Sequence, residues 1–299
     1  MQKPFFSIVV VSLNPGERLK KTLDSIVKQT FQDYEVILKD GGSVDGSLHN
    51  LLNQGYFKDK SQIRIEEKKD KSIYDAMNQA VSLTKGKYVQ FLNCGDYFYT
   101  DTVLEEVAGF IESFQKKAAN DFRDESFLKE CQRNTVDTRC KVPYIFYGNQ
   151  YNQLQDTIVY SAPQINDFTC YRNVPCHQVC FYDSYLFQSR AYDLQYAVRA
   201  DYEHFLYSIY KENAKGIFMP IVVASYEGGG FSETKVNRRK SAREHKEITI
   251  KYLGKAKVIK YKLVMYLTLA PVRTWVAQNP ALSGIYNGIK SSIYRILGK

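Results

Sequence analysis

Apolar runs and helical segments alternate through the first 96 residues, and this alternation constrains the fold more than any other feature of the sequence. The first run, FFSIVVVS, is continuous and rich in β-branched residues, which is typical of a strand covered on both faces of a parallel sheet. The runs lie at residues 5–12, 34–38, 63–65 and 88–92, and the helical segments at 17–28 and 72–85. The pattern predicts an α/β fold with a Rossmann-like, mostly parallel central sheet flanked by helices.

The length and composition fit an ordinary globular protein. A chain of 299 residues with 44% hydrophobic and 24% charged residues can build one large domain or two modest ones. The opening MQKPFFSIVVVS lacks the cleavage site of a secretory signal, so we interpret it as the first strand and predict a cytoplasmic protein. The six cysteines are then most simply reduced thiols, because their spacing lacks the paired C-x-x-C hooks of structural zinc sites.

Acidic loops follow the second and fourth strands, in the segments KDGGSVDGS and NCGDYF. Because ligands of such sheets bind beyond the carboxyl ends of the strands, both loops are expected to border one crevice. Asp40 can accept hydrogen bonds from a uracil N–H or from ribose hydroxyl groups. Asp96, beside Gly95, can hold a divalent cation already carried by a diphosphate. A plain Asp-Gly turn and a helix N-cap at Asp96 are the alternatives, and we favour ligand binding because the two loops occur together.

Beyond residue 98 the pattern changes to short β-like runs around isolated helices. We predict helices at 103–114 and 201–210. Strands are predicted in the runs YIFYGN, TIVYSA, VCFYDSYLF and GIFMPIVVASY, between residues 144 and 230. The mixed pattern indicates a second half that packs onto the first sheet.

The net charge of +9 is concentrated in the tail. Nine of the 41 Lys and Arg residues lie between residues 251 and 299, where there is no Asp or Glu, so the first 250 residues carry 32 residues of each sign. Residues 241–299 are predicted to be a basic amphipathic helical tail. Its uncharged runs fall short of the roughly 20 apolar residues that span a bilayer, but cations beside Trp275 and other apolar residues suit helices on an anionic leaflet. Ordinary helices packed on the domain are the alternative, and nucleic acid is a weaker option because no binding module accompanies the charge.

Several segments resemble family 2 glycosyltransferases of the GT-A fold, in the same order along the chain. They are SIVVVSLNPGERLKKTLDSIVKQTFQDYEVILKDGGSVDGS, KKDKSIYDAMNQAVSLTKGKYVQFLNCGDYF, HQVCFY and RADYEHFL. The resemblance implies a hexosyl- or N-acetylhexosaminyltransferase of the bacterial polysaccharide, O-antigen or capsule type. It also implies a nucleotide-sugar-binding half at residues 1–98 and an acceptor-binding half at residues 99–240.

The resemblance further implies which residues hold the nucleotide-sugar. Asp40 would hold the base, residues 70–71 would line the nucleotide or the sugar, and Asp96 would bind Mn²⁺ or Mg²⁺. Many relatives have two consecutive acids where this chain has Gly95 and Asp96, which puts a strict metal dependence in doubt. Asn14 either touches the ligand or caps the next helix, and we favour the cap. The implied contacts are Ser12, Asn14, Asp40, Gly41, Asp70, Lys71, Asn93 and Asp96.

Transfer with inversion needs a carboxylate that removes the proton of the acceptor hydroxyl group while the nucleoside diphosphate leaves from the opposite face of the sugar. The resemblance implies that this base is Asp201, in RADYEHFL, although a helix N-cap is its alternative role. Glu203 is a rival, but a helix turns about 100° per residue, so both side chains cannot face one hydroxyl group.

Four residues are candidate acceptor or diphosphate contacts: His177, Glu203, Lys235 and Arg238. His177 could equally be a packing residue. The segment 226–240, YEGGGFSETKVNRRK, could close over the donor and neutralise the leaving diphosphate. A flexible linker with a solvated basic patch is the alternative for this segment.

The leading prediction is an inverting glycosyltransferase that moves one sugar from a UDP-sugar, with Mn²⁺ or Mg²⁺, to a lipid-linked or oligosaccharide acceptor. The alternatives are a polyprenyl-phosphate glycosyltransferase and a non-catalytic nucleotide-sugar or membrane-binding protein of the same fold. The presence of Asp40, Asp96 and Asp201 together argues for turnover. We expect a cytoplasmic protein that is peripheral at the inner face of the cell membrane and has no nucleic acid partner.

Overall fold

The computed structural model describes residues 3–121, 142–228 and 234–268. Contacts divide the chain into two compact units, Met1–Ile248 and Thr249–Lys299. Every residue predicted for the site belongs to the first unit, and this unit also contains the sheet.

The strands form one sheet within the described residues. In chain order they are β1 (Phe6–Ser12), β2 (Tyr34–Asp40), β3 (Ile63–Glu67), β4 (Tyr88–Phe91), β5 (Tyr97–Phe98), β6 (Tyr144–Asn152), β7 (Thr157–Val159), β8 (Cys180–Asp183) and β9 (Lys215–Tyr226). Their order across the sheet is β3-β2-β1-β4-β8-β6-β9-β5, with β7 attached to β6.

A parallel block around β1 brings the predicted site loops to one edge of the sheet. β1 pairs in parallel with β2 and with β4, and β2 pairs in parallel with β3. The register places Ser12 opposite Asp40 and Asp40 opposite Glu67. β1 is buried along its whole length, which explains its unbroken apolar sequence. β8 pairs antiparallel with β4 and with β6 and so joins this block to the second half.

Helices flank the sheet. They are α1 (Arg18–Val27), α2 (Ser47–Asn53), α3 (Ile73–Val81), α4 (Val103–Asp121), α5 (Asp167–Arg172), α6 (Tyr185–Ser189), α7 (Ala200–Tyr210) and α8 (Lys235–Leu267), and a 3₁₀ turn lies at His177–Val179. α3 packs on β1 and β2. It buries Met77 completely, and such a side chain contributes about 1.5–3 kcal/mol. The Ser72 side chain accepts the N–H of Asp75 and fixes the start of α3, which places Tyr74 near the crevice.

The predicted α/β fold with a C-terminal helix is confirmed, with one clear error in the second half. The run VCFYDSYLF is not one strand: it forms β8 and then α6. Asp183 Oδ1 accepts the N–H of Tyr185 at 3.1 Å, and Ser184 already has helical geometry, so the strand ends there. An aromatic run has no period that separates a strand from a short helix. The short elements α2, α5 and β5 were not predicted.

The C-terminal helix α8 contains one residue with non-helical geometry, Gly254, at φ 78° and ψ 156°. None of the helices in the described part of the chain is long and apolar enough to cross a bilayer. Residues 269–299, the rest of the predicted tail, lie outside the described residues. The membrane association of this tail stays a prediction.

Candidate active site

The loop after β2 folds around the carboxylate of Asp40, a residue that is 1% exposed. Oδ1 accepts the backbone N–H groups of Gly42 at 2.8 Å and Ser43 at 2.6 Å. Oδ2 accepts the hydroxyl groups of Ser43 at 2.7 Å and Ser12 at 2.9 Å. Burial raises the pKa of Asp40, but the hydrogen bonds from Ser43, Ser12 and Gly42 outweigh it and leave the pKa below its ordinary value. Asp40 is therefore a fixed anion at the carboxyl end of β2.

Asn14 ties this loop to the end of β1. Its Oδ1 accepts the N–H of Val44 at 2.8 Å, and its own N–H is donated to Ser43 Oγ at 2.8 Å. The prediction that Asn14 caps the next helix is wrong, because α1 begins without a side-chain cap. With a φ of 47°, Asn14 turns the chain back toward the β2 loop, where a short amide can reach the backbone.

A buried ion pair joins the ends of β2 and β3. Lys39 Nζ lies 3.1 Å from Asp70 Oδ2, and the Lys39 side chain has no exposed surface. Nζ also donates to the carbonyl oxygens of Asp40, at 2.8 Å, and Lys68. A Cβ atom at Gly41 would lie only 2.6 Å from Asp70 Oδ2, so the missing side chain makes room for the paired carboxylate. The predicted residues Asp40, Gly41 and Asp70 thus meet at one strand end.

The loop after β4 holds Asp96, which is 4% exposed. Oδ2 accepts Nε2 of Gln178 at 2.9 Å, and Oδ1 accepts the N–H of Glu227 at 3.1 Å. The Thr22 hydroxyl group fixes the loop, since it donates to the Asp96 carbonyl oxygen at 2.7 Å and accepts the N–H of Gly95 at 2.9 Å. Burial raises the pKa of Asp96, although the bonds from Gln178 and Glu227 oppose this effect. Each carboxylate oxygen keeps acceptor capacity for a further ligand.

A row of hydrogen bonds connects the same loop with Asp201, in the first turn of α7. Asn93 Nδ2 lies 2.9 Å from His177 Nε2, and His177 Nδ1 lies 3.1 Å from Asp201 Oδ2. With Asn93 as the donor, His177 carries its proton on Nδ1 and donates it to Asp201. The Tyr74 hydroxyl group donates to Asp201 Oδ1 at 2.8 Å. Among the described residues, the buried Oδ1 of Asn93 has no hydrogen-bond partner.

Asp201 has the state and exposure that a general base needs. Burial raises its pKa, but the hydrogen bonds from His177 and Tyr74 leave the pKa below its ordinary value. The side chain is 24% exposed. It is not the N-cap of α7, because Arg199 holds that position. Asp201 is therefore an ionised carboxylate with part of its surface open.

Glu244, which sequence reasoning missed, fixes the segment in front of Asp201. It lies on α8 and is 5% exposed. Its carboxylate accepts the three backbone N–H groups of residues 197–199 at 2.9–3.0 Å. Ser241, one turn earlier, accepts Nε of Arg199 at 2.7 Å. No local sequence pattern could reveal these hydrogen bonds, because Glu244 and the N–H groups that it accepts are 45–47 residues apart.

We expect Glu244→Ala to lower the free energy of unfolding by about 3 kcal/mol, because three buried N–H groups lose their acceptor. Urea denaturation at pH 7 measures this. Glu247→Ala is the matched control, since Glu247 lies on the same helix and is exposed. Its carboxylate accepts the Tyr196 hydroxyl group at 3.3 Å, so this change should cost about 1 kcal/mol or less. Equal effects of the two changes would contradict the role of Glu244.

The structure separates Glu203 from the site. Its side chain has no exposed surface and is paired with the guanidinium group of Arg190. The prediction of Glu203 as an acceptor contact is wrong for that reason. Lys71 and Arg238 are exposed, and their ligand contacts stay predictions. Lys235 begins α8, and its side chain lies outside the described residues.

The residues around Asp96 fit a divalent cation that arrives with a diphosphate. Mg²⁺ and similar ions prefer oxygen ligands, commonly take one or two carboxylates and complete their shell with phosphate and water. Asp96 offers such oxygens at the carboxyl end of β4. Within the ranges that the structure describes, no three His, Cys, Asp or Glu side chains are grouped so as to hold a metal ion on their own. Oxygens of the diphosphate and water would complete the shell of such an ion.

Comparison with known sequences identifies a family. The model of Glycosyl transferase family 2 matches residues 7–167. The PGL/p-HBAD biosynthesis glycosyltransferase of Mycobacterium bovis (strain BCG / Pasteur 1173P2) is 30% identical over 240 residues, which are 80% of this chain and 83% of that protein. Chondroitin synthase of Pasteurella multocida (strain Pm70) is 34% identical over 100 residues, which are 33% of this chain and 10% of that protein.

Solved structures share the fold at low sequence identity. S. aureus TarS 1-349 in complex with UDP-GlcNAc has a TM-score of 0.56 and 15% identity, and the match covers 83% of this chain and 71% of that one. The mannosyltransferase PcManGT from Pyrobaculum calidifontis in complex with GDP-Man and Mn²⁺ has a TM-score of 0.59 and 13% identity, with 98% and 82% covered. At these identities the likeness concerns the fold alone.

Proposed function

The chain belongs to glycosyl transferase family 2, and we propose that it is an inverting enzyme that moves one sugar from a UDP-sugar to a lipid-linked or oligosaccharide acceptor in cell-surface polysaccharide biosynthesis. One observation carries the proposal. Asp201 is an ionised, partly exposed carboxylate, and His177 joins it to Asn93 in the loop that also holds Asp96. A base and a diphosphate site would thus share one crevice.

The β2 loop supports recognition of the nucleotide. Asp40 already accepts four hydrogen bonds, so a uracil N–H can bind only if one donor turns away. The hydroxyl groups of Ser12 and Ser43 rotate at little cost and are the donors that can give way. That the fold neighbours were solved with UDP-GlcNAc and GDP-Man supports a nucleotide-sugar as the donor class.

In the proposed reaction Asp201 takes the proton of the acceptor hydroxyl group as its oxygen forms a bond to the anomeric carbon of the sugar. The bond between that carbon and the diphosphate breaks on the opposite face, and UDP leaves. Asp96 would hold Mn²⁺ or Mg²⁺, which supplies positive charge to the departing diphosphate. Tyr74 and His177 keep the Asp201 carboxylate oriented before the acceptor arrives.

A panel of nucleotide-sugars tests the donor proposal. UDP-glucose, UDP-galactose, UDP-GlcNAc, UDP-GalNAc and GDP-mannose would be incubated with the full chain, with Mn²⁺, Mg²⁺ or EDTA, and nucleotide release would be measured. We expect metal-dependent release of UDP from at least one donor. In the absence of an acceptor, water can slowly take its place and hydrolyse the nucleotide-sugar. Turnover of GDP-mannose alone would exclude UDP as the nucleotide.

The pH dependence of the reaction should report the contact between His177 and Asp201. The pKa of Asp201 is lowered, so the base is active above that pKa and the acidic limb of kcat/KM lies below the ordinary range of Asp. His177→Leu removes a hydrogen bond to the charged form, so we expect the limb to move to higher pH and kcat to fall on the order of tenfold. The amide of His177→Asn can replace Nδ1–H as the donor to Asp201. This variant should therefore recover part of the shift in the acidic limb and part of the lost kcat. A limb that does not move would contradict the contact.

We also propose that the enzyme is cytoplasmic and peripheral at the inner face of the cell membrane. In the described part of the second unit, Ile259, Leu263 and Tyr266 are 68%, 57% and 73% exposed, and their spacing places them on one helical face. Lysines accompany them, and each cation near an anionic surface contributes about 1 kcal/mol.

Deleting residues 251–299 is expected to release the protein from anionic liposomes in a sedimentation assay. Exchanging Lys255, Lys257, Lys260 and Lys262 for glutamate in the full chain should have the same effect and avoids truncation. Zwitterionic liposomes and 0.5 M salt (roughly a 4 Å Debye length) provide the controls. Unchanged binding of both variants would end the membrane proposal.

A further inference from the structure

Gly95 precedes Asp96 in the loop after β4, and the structure shows what occupies the space that a side chain at residue 95 would need. A Cβ atom built on Gly95 would overlap Oε2 of Glu227, at the end of β9. A carboxylate therefore lies beside Gly95, the neighbour of Asp96, although Glu227 comes 131 residues after Asp96 in the chain. The φ of +104° at Gly95 is unfavourable for every residue with a side chain, so an acid could not stand there without strain.

The backbone of Glu227 is fixed by a hydrogen bond, whereas its carboxylate is partly exposed to solvent. Its N–H donates to Asp96 Oδ1 at 3.1 Å, so a hydrogen bond joins the chain just after β9 to the loop after β4. The side chain is 43% exposed, and its ion-pair partner is Arg18, with Nη1 at 3.5 Å. Such an exposed pair is weak, on the order of 0–1 kcal/mol, so a divalent cation can compete with Arg18 for this carboxylate.

A second feature of the site also indicates a ligand. Gln178 is 5% exposed and donates Nε2 to Asp96 Oδ2, but its buried Oε1 has no hydrogen-bond partner in the part of the chain that the structure describes. A buried amide oxygen without a donor is costly unless a ligand or its water supplies one. Carboxylate and amide oxygens are the ligands that hard divalent cations prefer.

We propose that Glu227 supplies a second carboxylate to the cation site at Asp96. The inference rests on the proposed nucleotide-sugar transfer, because the diphosphate would provide further oxygens. Two carboxylates balance the charge of one Mn²⁺ or Mg²⁺. When the cation binds, Glu227 releases Arg18 and contacts the cation instead.

Mn²⁺ binding by the full chain tests this without an activity assay. Free Mn²⁺ would be followed by its electron paramagnetic resonance signal in the presence of UDP, for the wild type, Glu227→Gln, Glu227→Asp, Arg18→Gln and Asp96→Asn. We expect Glu227→Gln to weaken the Mn²⁺ affinity at least tenfold, which corresponds to about 1.4 kcal/mol. Glu227→Asp should lose less because it keeps the charge. Thermal melting shows whether each variant is folded.

Arg18→Gln is the matched control. It breaks the same ion pair but keeps the carboxylate, so Mn²⁺ affinity should be unchanged or higher. If Glu227→Gln binds Mn²⁺ like the wild type while Asp96→Asn does not, Glu227 serves only Arg18 and the inference is overturned, although the proposed function stands. A wild type without any UDP-dependent Mn²⁺ binding overturns the inference together with the metal role in the proposed function.

Discussion

Replacing Asp201 with asparagine is expected to lower kcat about 10³-fold, within the range of 10²–10⁴ that a general base contributes. Asparagine keeps the size of the side chain, and its one carbonyl oxygen can still accept the hydrogen bond of His177. Its amide nitrogen can donate to the Tyr74 hydroxyl group, which can donate to the Val198 carbonyl oxygen instead, but asparagine cannot take up a proton. The donor site does not include Asp201, so the Kd for UDP should stay within about twofold, or roughly 0.4 kcal/mol. Stopped-flow or quenched-flow transfer assays and calorimetric UDP titration measure the two quantities.

Asp193→Asn provides the matched control for Asp201→Asn. Asp193 lies eight residues before Asp201 and only turns the backbone, since its carboxylate accepts the N–H and side-chain nitrogen of Gln195. The same loss of charge there should leave kcat nearly unchanged. If Asp201→Asn retains wild-type turnover, another group is the base.

Replacing Asp40 with alanine is expected to lower the free energy of unfolding by about 3 kcal/mol. The reason is that two backbone N–H groups and two hydroxyl groups lose one buried acceptor, and the hydroxyl groups alone can find new partners by rotating. Donor binding should be lost as well, because the loop that borders the crevice is built on this carboxylate. Urea denaturation at 25 °C, followed by circular dichroism, measures the stability change.

The effect of Asp40→Ala should depend on pH in a defined direction. The folded pKa of Asp40 is lowered, so its contribution to stability is present above the unfolded pKa, near 3.9, and is lost as the pH falls through the folded pKa. The difference between wild type and variant should therefore shrink in acid. Asp45→Ala, at an exposed position in the same loop, should cost less than about 1 kcal/mol. A constant difference from pH 7 down to strong acid would show that Asp40 contributes by packing and not by its charge.

The sequence predicted that Asp40 and Asp96 lie at one edge of the sheet, because this placement is encoded locally. β1, β2 and β4 are largely apolar runs, and parallel pairing brings the ends of such strands to one edge whatever the rest of the chain does. Asp40 ends β2 and Asp96 lies in the loop after β4, so their shared edge could be foreseen. The role of Asn14 could not be foreseen, because asparagine is equally suited to cap a helix and to form hydrogen bonds with a neighbouring loop.

The groups that orient the predicted base escaped the sequence reasoning for a physical reason. Glu244 and Tyr74 reach the neighbourhood of Asp201 from elements 43 and 127 residues away in the chain, and each would be an ordinary helical residue in any local pattern. Glu227 follows a strand as Asp40 does, but nothing local relates it to Gly95. Glu227 and Gly95 come together only because β9 pairs with β5.

A crystal structure of the chain with UDP and Mn²⁺ tests the central claim most directly. We expect the uracil against the loop of residues 40–43, the diphosphate and the cation at Asp96, and the Asp201 carboxylate open to the space next to the diphosphate. A nucleotide bound away from Asp40 and Asp96, or an Asp201 closed off from the bound diphosphate, would contradict it.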